Sequence, residues 1–175
     1  MERLKIKTAK IGELAERYDE MFSGKNDQKV EKELIEWFKI HRYLDRENFI
    51  KLGMWKSPRP KKYYTDESNS DDEIRKVTEQ SISSRDEFTK ISVPQSLKGV
   101  SWPVASVILH FAEPDKYMIM DFRAIWSLGF SETKSYNFDF WMKYTQKARM
   151  VSVKTGESMR TLDKALWMYS KLNQK

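Results

Sequence analysis

Apolar residues recur along most of this chain at the i, i+3, i+4, i+7 spacing of amphipathic helices. Ile11, Leu14, Ala15, Tyr18, Met21 and Phe22 form one stripe, and Gly24 is placed to end that helix. Val30, Leu34, Trp37, Phe38, His41 and Leu44 form a second. Asp45 can cap a short helix through Leu52 that Gly53 closes. A polar, Pro-containing stretch from Met54 to Ser70 follows. Asp71–Ser83 then reads as a weakly amphipathic helix with acids in its first turn, where the helix dipole favours them. A further helix is expected from about Arg85 toward Leu97, disturbed near Pro94, and Phe138–Met150 and roughly Arg160–Leu172 read as the last two. No strand pattern, internal repeat or heptad array competes, so the pattern predicts an all-α fold.

Residues 97–129, LKGVSWPVASVILHFAEPDKYMIMDFRAIWSLG, hold the most informative punctuation. Gly99 supplies a position where positive φ or close backbone approach is easy. Pro103 stands where a first helical turn tolerates a missing N–H. Val104, Val107, Ile108 and Phe111 recur at helical spacing, so the helix after the turn buries one face. Unpaired N–H groups at such a turn and helix start form a natural site for phosphate oxygens. Asp121 then precedes Ile125, Trp126 and Leu128, the position of a helix N-cap worth about 1 kcal/mol.

LKGVSWPVA resembles the LPGVGxxTA hairpin of the helix-hairpin-helix DNA glycosylases, the superfamily of endonuclease III and the adenine-specific mismatch glycosylases. MIMDFRAIWSL resembles the segment that carries the family's catalytic aspartate, and the separation of Gly99 from Asp121 agrees with the family pattern. The resemblance implies a two-lobed helical bundle filling residues 1–175 as one glycosylase-like unit. Its base pocket would lie between the lobes, with the N- and C-terminal helices sharing one of them. The hairpin and catalytic segment occupy about residues 85–129. Asp121 is then the catalytic residue, and Lys98, Gly99, Val100, Ser101 and Trp102 form the hairpin that binds the DNA backbone. Breaking a base–sugar bond develops positive charge on the deoxyribose, through an oxocarbenium-like transition state. A nearby carboxylate stabilises that charge and can orient or deprotonate the attacking water.

Two departures narrow this expectation. Ser101 replaces the second hairpin glycine, so the turn must tolerate a Cβ there. Pro103 occupies the position of the Schiff-base lysine found in members that also cleave the backbone, which implies a monofunctional glycosylase. The chain has no cysteine, which excludes an iron–sulfur cluster, disulfides and thiolate zinc sites. No cofactor is expected beyond a monovalent cation at the hairpin.

Charge adds a partner class. Against 26 acidic residues stand 32 Lys and Arg, a net charge of +6 and a pI near 9.3. That balance suits a polyanion, although ordinary solubility accounts for it equally well. The expected partner is double-stranded DNA and the expected state a monomer. No apolar run is long enough to span a bilayer, and MERLKIKTAKIGELAERYDE lacks the apolar centre of a signal peptide, so a cytoplasmic protein is expected, nucleoid-associated if bacterial.

WKSPRPKKYY, residues 55–64, is the second place where chemistry could reside. Trp55, Lys56 and Arg59 are candidates for DNA or base-pocket contacts, as is Arg123 beside the aspartate. The competing reading is a solvated connector whose aromatic residues pack on the core, followed immediately by the acidic stretch Asp66–Glu73. His41 and His110 each lie in an apolar helical pattern and read as core or boundary residues. Trp126, Trp141 and Trp167 read as core filling. The alternatives to a glycosylase are a non-catalytic helix-hairpin-helix DNA-binding protein, in which Asp121 is only a cap, and a protein-interaction module with an incidental hairpin.

Overall fold

A computed structural model describes residues 3–131 and 135–174. Among them are ten α-helices and no strand, so the fold is all-α. The helices fall into two compact units, Lys25–Glu113 and a second made of Met1–Gly24 with Pro114–Lys175.

Unit Lys25–Glu113 is built around its last helix. It contains α2 (Asn26–Ile40), α3 (Arg46–Lys56), α4 (Lys61–Thr65), α5 (Asp71–Ser83), α6 (Glu87–Ser92) and α7 (Trp102–Ala112). Every residue of α7 from Val104 to Phe111 is buried, because α2, α3, α5 and α6 all pack against it. A helix apolar on all sides, covered on all sides, is the expected centre of a helical core.

Several boundaries differ from those the sequence pattern suggests, each for a reason outside the local pattern. Gly53 does not close α3; the helix runs on to Lys56. A side chain at Gly53 would place its Cβ 2.7 Å from the Tyr64 ring, so the residue is small because an aromatic lies on it. The polar stretch after it contains the short helix α4, which carries that tyrosine. Helix α2 stops at Ile40, before His41 and Leu44. The Trp37 indole donates to the Tyr43 carbonyl at 2.6 Å, and the Leu44 N–H donates to the Thr78 hydroxyl at 2.9 Å, which holds the chain in its exit. Pro94 ends the regular part of α6, and a 3-10 turn follows over Val93–Ser96. The Lys90 carbonyl that Pro94 cannot serve accepts the Ser81 hydroxyl at 2.6 Å.

The second unit contains α1 (Ile11–Phe22), α8 (Phe122–Leu128), α9 (Phe138–Thr155) and α10 (Met159–Asn173). Helices α1 and α10, from opposite ends of the chain, pack on each other, and α10 also packs on α8 and α9. Tyr18 and Phe22 meet Trp167 edge-on at 5.3 and 5.4 Å between ring centroids. The Ser127 hydroxyl, buried, donates to the Leu166 carbonyl at 2.7 Å and ties α8 to α10. Among the described residues no helix is long and apolar enough to cross a membrane.

Candidate nucleic-acid interface

The hairpin is a tight turn. The Val100 N–H donates to the Leu97 carbonyl at 3.1 Å, and Gly99, third of the four residues, has φ +88°. Only glycine adopts that conformation without strain, as the third position of a type II turn requires. Leu97 and Val100 are buried and anchor the turn, while Lys98 and Ser101 are exposed. Asn69, itself buried, brackets Lys98: its Oδ1 accepts the Lys98 N–H at 2.7 Å and its Nδ2 donates to the Lys98 carbonyl at 3.0 Å. The Tyr64 hydroxyl donates to the Gly99 carbonyl at 3.2 Å. Added atoms at Gly99 would come within 3.0 Å of Tyr63 and Tyr64.

Helix α7 starts from this turn without a side-chain cap. Ser101 occupies the N-cap but makes no capping hydrogen bond. By contrast Asp45, Ser70, Asp86, Asp121, Asn137 and Ser158 each cap the helix that follows them. The first amides of α7 are therefore left for another acceptor, at an exposed serine. Trp102, half-buried, opens the helix, and Pro103 follows in its first turn.

The WKSPRPKKYY segment divides in two. Trp55 is half-buried: its indole donates to the Asp27 carbonyl at 3.1 Å and its ring meets Phe111 at 5.2 Å. Lys56 ends α3 half-buried. Arg59, Lys61, Lys62 and Tyr63 are exposed, and α4 brings Tyr63 directly against Gly99. An exposed aromatic and several cations thus border the turn. Acids are also near. The Asp66 carboxyl is held below the usual carboxylate range, first by the Ser68 hydroxyl and N–H, with Lys62 and Lys98 adding to the effect.

Asp121 lies in the other unit. Its Oδ1 accepts the Arg123 N–H at 2.9 Å, so it caps α8, and the residue is half-buried. The segment before it, Tyr117 to Met120, is buried and fixed by the Tyr144 hydroxyl, which donates to the Ile119 carbonyl at 2.7 Å. Burial raises the Tyr136 phenol above its ordinary range, and the negative charge of Asp121 adds to the rise. Tyr144 is raised well above that range by burial, then by Asp163 and Asp121. The carboxylate therefore shares its surroundings with two neutral phenols. Phe122, next in the chain, is 58% exposed. Arg123 is directed elsewhere: its guanidinium lies over Phe122 and Trp167, 5.0 and 5.2 Å from the ring centroids, and reaches the Ser170 hydroxyl at 3.5 Å.

Asn69 and Tyr136 carry no motif that marks them in the sequence. Tyr64 and Phe122 lie within WKSPRPKKYY and MIMDFRAIWSL, but neither motif signals the carbonyl that Tyr64 reaches or the exposure of Phe122. His110 is buried, whereas His41 stacks on Trp37 at 4.0 Å. Trp141 is buried, but Trp126 and Trp167 are only half-buried. Among the described residues no group of three or more His, Asp or Glu side chains is arranged to hold a metal ion. No family model, curated protein or solved structure matches this chain.

Proposed function

We propose that this protein is a monofunctional DNA glycosylase, hydrolysing the N-glycosidic bond of a damaged or modified base flipped out of double-stranded DNA. The observation that carries the reading is the state of Asp121, a carboxylate that caps a helix while remaining half-buried beside two neutral phenols and an exposed phenylalanine. A carboxylate packed away in the core could not approach a sugar. The uncapped start of α7 and the exposed Lys98 and Ser101 would hold backbone phosphate through N–H groups and charge.

The chemistry asks for few groups. The base leaves the stack at a cost of a few kcal/mol, least for damaged or mismatched pairs. As the bond from the sugar's anomeric carbon to the base nitrogen stretches, Asp121 stabilises the positive charge growing on the sugar. Water, oriented by the same carboxylate, adds its oxygen to that carbon, and its proton ends on the departing base. Pro103 has no amine to form a Schiff base, so the product is an abasic site in an intact strand.

The test is incubation with duplexes carrying a panel of damaged or modified bases, followed by alkaline cleavage of abasic sites. Asp121→Asn should slow excision by about 100-fold or more. Its fold should be unchanged, because Asn caps as well as Asp. Excision at the full wild-type rate by this variant overturns the proposal. The capping bond to Arg123 also favours a second reading, a DNA-binding protein without activity. Under that reading no base on the panel is released, yet gel-shift affinity falls with rising salt, as phosphate binding requires.

A further inference from the structure

The N-terminal segment of the unit that carries Asp121 borders an open groove of about 810 Å³, whose lining includes Arg3, Lys5, Lys7, Lys154 and Tyr169 and no acidic residue. The segment alternates: Arg3, Lys5 and Lys7 are exposed, Leu4 is half-buried and Ile6 buried. Three exposed cations therefore alternate with two more buried apolar residues, and Lys154 from α9 lines the same groove as a fourth.

Several cations elsewhere among the described residues are paired with acids. Lys51 reaches Glu33 at 3.1 Å and Glu47 at 2.8 Å, Lys164 reaches Asp19 at 2.7 Å, and Lys90 is paired with Glu113. Arg3, Lys5, Lys7 and Lys154 make no ion pair among the described residues. Backbone and aromatic contacts hold the segment in place instead. The Lys5 N–H donates to the Ser127 carbonyl at 3.0 Å, and its ammonium lies 3.6 Å from the centroid of the Trp126 ring. Trp126 in turn stacks on Tyr169, at 6.1 Å and 27°. Gly129, at φ +96°, lies so close to the Arg3 carbonyl that a Cβ would collide with it. Like charges lining one groove without acids favour a ligand that brings negative charge, and four of them favour one whose charges repeat.

We propose that this groove binds the phosphodiester backbone of DNA, as a contact separate from the hairpin. The inference rests on the reading of the chain as a DNA-binding protein. It predicts that part of the salt dependence of binding belongs to residues far in sequence from the hairpin.

The experiment measures binding of the full chain to a duplex oligonucleotide across ionic strength, for the wild type and for a Lys5→Gln, Lys7→Gln, Lys154→Gln triple variant. All three side chains are exposed, so the variant should fold, with a melting temperature only slightly lowered by loss of the Lys5 contact with the Trp126 ring. Each phosphate contact contributes about 0.9 to the slope of log affinity against log salt. The variant's slope should therefore be shallower by roughly 2 to 3, with affinity down at least tenfold at low salt. An unchanged slope and affinity would sink the groove and leave the glycosylase reading standing. A wild type that binds no duplex overturns both. Lys32→Gln, Lys39→Gln and Lys76→Gln together serve as a matched loss of three charges, at exposed positions on α2 and α5. If this control lowers the slope as much as the groove variant does, the effect is net charge alone and the groove inference fails.

Discussion

The turn at Leu97–Val100 takes its shape from residues 29 and 35 positions earlier in the chain, through Asn69 and Tyr64, whereas the carboxylate of Asp121 is oriented by an amide two residues downstream. The difference separates two ways of presenting polar groups. A turn held by distant side chains is rigid only while a whole unit is folded, and it fails when any of its supports is removed. A cap held by its own helix depends on little else. If DNA is gripped by the first and acted on by the second, grip should be fragile to substitutions far from the surface, and chemistry should not.

Asn69 offers the largest way to break this contrast. Its side chain makes hydrogen bonds with the Lys98 N–H, the Lys98 carbonyl and the Tyr63 carbonyl, and it is buried. Asn69→Ala leaves those groups without partners and should destabilise the protein by about 3 kcal/mol in chemical denaturation. DNA affinity should fall with it under conditions where the variant is still folded. Asp121→Ala, losing the cap on α8, should lose about 1 kcal/mol and keep its affinity. Equal losses for the two variants would show that the turn is no more dependent on distant supports than the cap is.

Gly53 tests the same dependence one layer deeper. A Cβ there would press on the Tyr64 ring at 2.7 Å, and Tyr64 touches Gly99. Gly53→Ala should cost about 2 kcal/mol as overpacking, read from the same denaturation curves. Because Tyr64 must shift, duplex affinity should drop although the substitution is buried and carries no charge. Unchanged affinity in a destabilised protein would uncouple α3 from the turn.

What could be read from the sequence follows the same division. Helices with a single buried stripe, such as α1 and α5, are set by spacing and by caps a few residues away, and α5 runs over the expected Asp71–Ser83. The cap at Asp121 is equally local, and Gly99 marks the place of the turn, but the Asn69 and Tyr64 side chains that support it come from far back in the chain. The continuation of α3 past Gly53 is not local either, since it depends on an aromatic contributed by α4. The half-buried Trp126 and Trp167 read as core because indoles are apolar, but their rings carry cations on one face, Lys5 over Trp126 and Arg123 over Trp167. Trp55 carries a nucleic-acid reading from its basic neighbours, and its contacts with Asp27 and Phe111, which no local pattern announces, hold one side of a half-buried ring. Periodicity reports which face is apolar and is silent about which distant residue will cover it.

Tyr64 gives the smallest effect and the most particular one. Its hydroxyl donates to the Gly99 carbonyl, and burial pushes its phenol up to about 12, against about 10 in an unfolded chain. The unfolded state therefore gives up the proton first. The contribution of the neutral phenol is complete below pH 10 and declines as pH rises from about 10 to about 12. At pH 7, Tyr64→Phe should cost only about 1 kcal/mol, the net worth of one hydrogen bond. Above pH 10 the wild type should lose stability faster than the variant, so the gap between their urea midpoints narrows. Tyr144, raised in the same direction, is common to both proteins and steepens both curves alike. Alkaline pH thus loosens the support of the turn, and a gap that stays constant from pH 7 to pH 11 would show that the Tyr64 hydroxyl does not brace the turn.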